Sequence, residues 1–119
     1  MFQRNKRVEP APRLKIEPSL VEGGLAVVIS GELDLSTGRD LLAFADLLVE
    51  TKVVGFDLTG VYFIDSSGLN ALLRAVQSLR QRGISAIVSR AGTQALKLFD
   101  VSGLREPLMA DGTGALPTW

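Results

Sequence analysis

Three short apolar runs, at residues 25–30 (LAVVIS), 53–58 (VVGFDL) and 84–88 (ISAIV), are separated by two stretches with helical spacing. In the first stretch, Leu41, Phe44, Ala45 and Leu48 fall at offsets 0, 3, 4 and 7. In the second, Leu69, Leu72, Leu73, Val76 and Leu79 repeat that pattern. Continuous apolar runs of this length suit buried strands, and one-sided stripes suit helices with one buried face. Strands alternating with helices predict a largely parallel sheet. With 119 residues and 46% hydrophobic content, the chain suits one domain with a packed core.

Other elements follow from local signals. Leu14-Lys15-Ile16-Glu17 alternates apolar and polar and reads as a short half-buried strand. Residues 18–24 end in Glu22-Gly23-Gly24, a turn signal, so the first two strands are expected to form a hairpin. Gly31-Glu32-Leu33-Asp34 breaks the second strand, and Ser36 or Thr37 is expected to cap the first helix. Residues 59–64 read as a partly extended connection. Gly83 stops the long helix, with Arg80 and Arg82 near its negative end. A short helix is expected from Thr93 or Gln94 to Phe99, a turn over residues 100–104, and a last extended piece over residues 106–109.

Composition narrows the chemistry. There is no cysteine, so no disulfide framework or thiolate metal site. There is no histidine, which removes the commonest general base and metal ligand. No apolar run approaches the roughly 18 residues of a membrane span, and the start lacks a secretory signal. The net charge is zero but uneven. Residues 1–15 carry Arg4, Lys6, Arg7, Arg13 and Lys15 against Glu9 alone, net +4, which leaves −4 on the remainder. The folded part is therefore acidic and does not read as a nucleic-acid binder. The expected division is a basic arm at residues 1–13, a domain at 14–109 and a tail at 110–119.

The most informative stretch is Phe63-Ile64-Asp65-Ser66-Ser67-Gly68-Leu69-Asn70. An apolar run meets an acid, two hydroxyls and a glycine where a helix begins. The first helical turn has unpaired N–H groups and a partial positive charge, so it stabilises anions. A serine there can cap the helix, and it can also accept a phosphate whose product dianion finds donors in place. The simplest reading is that Asp65 or Ser66 caps the helix and does no more.

The wider pattern resembles the STAS domains of bacterial anti-sigma factor antagonists. The resemblance rests on Gly31-Glu32-Leu33-Asp34, Phe56-Asp57-Leu58-Thr59-Gly60-Val61, Asp65-Ser66-Ser67-Gly68-Leu69 and Leu98-Phe99-Asp100-Val101-Ser102-Gly103-Leu104, in the family's order and spacing. It covers residues 14–109. It implies an α/β fold: a single STAS domain with a four- or five-stranded mixed sheet and helices packed mainly on one face. It implies a cytoplasmic, non-enzymatic regulator without cofactor, metal or membrane span. Its unphosphorylated form would bind an anti-sigma factor that is also a serine kinase, releasing a sigma factor for transcription. Ser66 would be the phosphorylated residue, and a metal-dependent serine phosphatase would reverse the mark. The expected partner-binding residues are Asp34, Asp65, Ser66, Ser67, Gly68 and Asn70. The oligomeric state stays open, a homodimer included. A second reading is an unphosphorylated STAS subunit of a lipid-transport ABC complex. A regulatory domain of the kind appended to anion transporters is disfavoured, since the chain has no spans of its own.

Overall fold

In the computed structural model, which describes residues 13–110, a four-stranded sheet is ordered β1-β2-β3-β4. β1 is Leu14–Val21, β2 Gly24–Leu33, β3 Val53–Ile64 and β4 Ser85–Ala91. α1 (Leu35–Leu47) joins β2 to β3, and α2 (Ser66–Gln81) joins β3 to β4. α3 (Thr93–Val101) and α4 (Arg105–Met109) follow. β1 and β2 pair antiparallel as a hairpin, while β2–β3 and β3–β4 are parallel. The sheet is therefore mixed.

The strand pattern decides which face is covered. Leu25, Val27 and Ile29 of β2 and Val54, Phe56 and Leu58 of β3 alternate onto one face and are buried. Leu41 and Ala45 of α1, Leu69, Leu72, Val76 and Leu79 of α2, Phe99 of α3 and Leu108 of α4 join them in one cluster. The helices thus pack on one face of the sheet. On the other face, Val28, Asp57 and Arg90 share a row across β2, β3 and β4 and are exposed or half-buried. Burial of the large side chains stabilises by about 1.5–3 kcal/mol each, the driving force for the packing.

Several details depart from the sequence expectations. β1 runs on to Val21 through Pro18, which an edge strand tolerates because proline lacks only a donor there. β2 continues through Leu33 instead of breaking at Gly31, with two register shifts against β3. Gly31 has φ +108°, and a Cβ there would lie 2.1 Å from the Arg13 carbonyl oxygen, so glycine lets the chain before β1 lie close. Residues 59–64, expected as a connection, are the second half of one strand of 12 residues. The piece at 106–109 is helical: Leu108 is fully buried, and Pro107 sits in the first turn, where its missing N–H is not needed. Residues 1–12 and 111–119, which include most of the expected arm and tail, lie outside the described residues.

The two arginines at the end of α2 bond beyond their own helix. Arg82 donates to the carbonyls of Ala45 (2.6 Å) and Leu48 (2.8 Å) at the end of α1. Arg80 donates to the carbonyls of Ala86 (2.9 Å) and Pro107 (2.7 Å), tying β4 and α4 to α2.

Candidate functional site

The parallel pairing of β2 with β3 brings the sequence blocks together. Leu33 and Ile64, the last residues of those strands, are register partners. The next residue in each chain segment is an aspartate, Asp34 and Asp65, and each caps the helix that follows. The two caps therefore stand side by side at one end of the sheet. The Asp65 N–H donates to the Leu33 carbonyl (3.3 Å), stitching the two helix entries together.

Asp34, not Ser36 or Thr37, caps α1. One carboxylate oxygen accepts from the Thr37 N–H (3.0 Å), and the Asp34 N–H donates to Thr37 Oγ1 (2.9 Å), a reciprocal capping box. Thr37 Oγ1 also donates to the Glu32 carbonyl (2.8 Å), which explains a buried hydroxyl. The other oxygen of Asp34 pairs with Arg13, whose guanidinium also bonds Glu32 (2.9 Å). Tyr62 donates its hydroxyl to Glu32 (3.0 Å). The Thr37 N–H first, and then Arg13, hold the Asp34 carboxyl below the usual carboxylate range. Arg13 does the same for Glu32, with Tyr62 adding to it.

Asp65 caps α2 through its Oδ1, which accepts from the Gly68 N–H (2.9 Å). Gly68 is buried against the β2–α1 junction: a Cβ there would lie 2.0 Å from the Leu33 carbonyl oxygen. Glycine is what lets α2 start so close to its neighbour. Ser66 and Ser67 are the first two residues of α2, and both are exposed, as is Asn70. Asp34 and Asp65 line a cavity of about 370 Å³ with Leu35, Ser36 and Arg39. Apolar side chains are also exposed at this end, with Leu35 at 62%, Tyr62 at 68% and Phe63 at 42%. Among the described residues, no group of three or more acids gathers in a way that could hold a metal ion.

All six residues expected from the sequence, Asp34, Asp65, Ser66, Ser67, Gly68 and Asn70, thus lie at one end of the sheet, five of them in a single helix entry. Arg13, Tyr62 and Arg39 belong to the same region and carry no motif. Arg13 falls at the edge of the expected arm, yet its carbonyl accepts from the Glu32 N–H (2.7 Å) and its guanidinium bridges two acids. The signal available in sequence was Glu32-Leu33-Asp34, two acids one residue apart at a strand end, which call for a cation.

A family model described as the STAS domain matches residues 12–111. An anti-sigma F factor antagonist of Paenibacillus polymyxa is 31% identical over 94 residues, 76% of this chain and 80% of the relative. An anti-sigma-B factor antagonist of Listeria monocytogenes is 29% identical over 82 residues, 67% and 72% of the two chains. Among solved structures, an anti-sigma factor antagonist from Mycobacterium paratuberculosis superposes with a TM-score of 0.71. That likeness covers 84% of this chain and 86% of the other at 23% identity, and it speaks to the fold.

Proposed function

This chain belongs to the STAS domain family, and from that premise we propose that it is an anti-sigma factor antagonist whose docking is switched off by phosphorylation of Ser66. The observation that carries the reading is the position of Ser66: exposed, first in α2, and next to Asp65, which caps that helix. A kinase can reach such a hydroxyl without unfolding anything. The product dianion, about −1.5 to −2 in charge, sits at the positive end of a 16-residue helix. The fold therefore accommodates the mark in place.

The partner does not. The docking surface comprises Asp34, Asp65, Ser66, Ser67 and Asn70, seated on buried Gly68 and framed by exposed Leu35, Tyr62 and Phe63. Apolar residues beside polar ones, at one end of the molecule, suit a protein–protein contact. A phosphate placed in that contact must shed water or find a cation on the partner. It also adds to the negative field of Asp34 and Asp65. A loss of about 3 kcal/mol weakens binding more than a hundredfold. The partner is an anti-sigma factor with serine kinase activity, and a serine phosphatase resets the switch. The site works in the cytoplasm as a binding regulator and not as an enzyme.

The test is incubation with the cognate kinase and ATP, followed by mass-spectrometric mapping. Phosphate on Ser66, its loss in S66A, retained binding by S66A and weakened binding by S66D support the reading. Phosphate elsewhere, or a stable complex with a transporter ATPase and no labelling by a kinase, overturns it.

A further inference from the structure

The groove between α1 and α2 holds one cavity at the helix entries and a separate one further along the helices. In its lower part, Leu42 and Asp46 of α1 face Arg74 and Ser78 of α2 around a cavity of about 410 Å³. Arg39 lies three residues before Leu42 and seven before Asp46, so it continues that stripe of α1 toward the helix start. On α2, Ser67 lies seven residues before Arg74, two helical turns up the same stripe, and Ser66 is the residue before it. Arg39 also lines the upper cavity together with Asp65, the residue before Ser66.

Arg39 differs from its neighbours in what it touches. Arg13 is committed to Glu32 and Asp34, and Arg82 to the end of α1. Among the described residues, exposed Arg39 makes no hydrogen bond or ion pair. The acids nearby are already engaged, Asp34 by Thr37 and Arg13, Asp65 by the Gly68 N–H. A guanidinium left over beside two satisfied carboxylates has its natural counter-ion in an added oxyanion, which it can hold through two parallel N–H bonds.

Resting on the phosphorylation reading above, we propose that Arg39 is the cation that receives the phosphate of Ser66 within the same chain. The modified helix entry then carries its own counter-ion, which offsets repulsion from Asp34 and Asp65. α1 and α2 are clipped together across the groove in the phosphorylated form. Arg39 is thus a positioning residue for the mark and not part of the acceptor itself.

The experiment installs phosphoserine at position 66 during translation, so it does not depend on any kinase. The phosphate is titrated by ³¹P NMR in the full chain. The charged groups that line the cavity beside Ser66 are Asp34 and Arg39 from the β2–α1 side and Asp65 at the start of α2, with Arg13 and Glu32 tied to Asp34 through the Arg13 guanidinium. The phosphate titrates near pH 6 when unperturbed. Replacing Arg39 by glutamine is expected to raise its midpoint by about 0.3–0.5 of a pH unit, the size an exposed ion pair supplies. R39K is expected to fall between, and R74Q, lower in the groove, to match the wild type. A midpoint unchanged by R39Q overturns the proposal. So does an equal rise in R74Q, or a rise in R13Q with none in R39Q. Failure of a kinase to label Ser66 would sink the proposed function and leave this titration interpretable.

Discussion

Replacing Gly68 by alanine tests how closely the start of α2 is seated. The added Cβ would lie 2.0 Å from the oxygen and 2.5 Å from the carbon of the Leu33 carbonyl, and 3.1 Å from the Asp34 nitrogen. All three are backbone atoms, so no side chain can swing aside. Ordinary carbon–oxygen contact needs more than 3 Å, so α2 or the β2–α1 junction must move by about 1 Å. Both are fixed, by the Asp65-to-Leu33 hydrogen bond and the Asp34–Thr37 box. Overpacking of this kind costs about 1–3 kcal/mol, and the depth of the clash puts it at the upper end. In a domain of this size, about 3 kcal/mol lowers Tm by roughly 12–20 °C. The control is Gly83, with φ +83° and open space around its Cβ position, where alanine costs about 1 kcal/mol of backbone strain alone. Urea and thermal unfolding of G68A and G83A give the comparison. G68A is also expected to lose partner binding, because Ser66 and Asp65 move with the helix. A G68A protein as stable as G83A would refute the close seating of α2 on Leu33.

Other predictions follow from the same structure. D65A removes the cap of α2 and is expected to cost about 1 kcal/mol, read as a lower urea midpoint at unchanged slope. L108A empties a fully buried site under α4 and is expected to cost about 2–5 kcal/mol; a loss under 1 kcal/mol would mean α4 is not packed on β4. Asp34, Glu32 and Asp100 have carboxyls held below their usual range, Asp100 by Arg105. A depressed folded pKa adds stability above the unfolded value that is lost as pH falls through the folded one. The margin of the wild type over D34N is therefore expected to be full at pH 7, to start falling below the unfolded carboxyl value near pH 4, and to be lost only as pH passes below the depressed folded value. A margin that shows no decline as pH falls below about 4, where the unfolded carboxyl begins to protonate, would contradict the Arg13 and Thr37 contacts. With no histidine in the chain, stability is expected to be flat from about pH 5.5 to 7.5.

The apolar runs and stripes made the sheet and the two long helices legible, because both elements have one buried side and a strict period. The Asp65-Ser66-Ser67-Gly68 block was legible because a helix entry demands a cap and a close approach demands glycine. The far half of β3 was not, since Thr59, Gly60, Tyr62 and Phe63 are exposed and their strand geometry comes from pairing with β2. α4 was missed because five residues around a proline carry no helical signal. Its shape comes from burial of Leu108 and from Arg80 reaching its carbonyls. Arg13 was missed because its partners lie 19 and 21 residues away and meet it only through the hairpin. Ser36 was expected as a cap by residue type, but Asp34 precedes it at the strand end and takes the N–H first.

One binding measurement bears on everything above. The anti-sigma factor is titrated, by calorimetry, with the chain carrying serine or phosphoserine at position 66, and the unfolding of both forms is recorded alongside. Affinity is expected to fall at least about a hundredfold while the far-ultraviolet spectrum and cooperative unfolding stay the same. Equal affinity for the two forms, or a phosphorylated chain that has lost its fold, would contradict it.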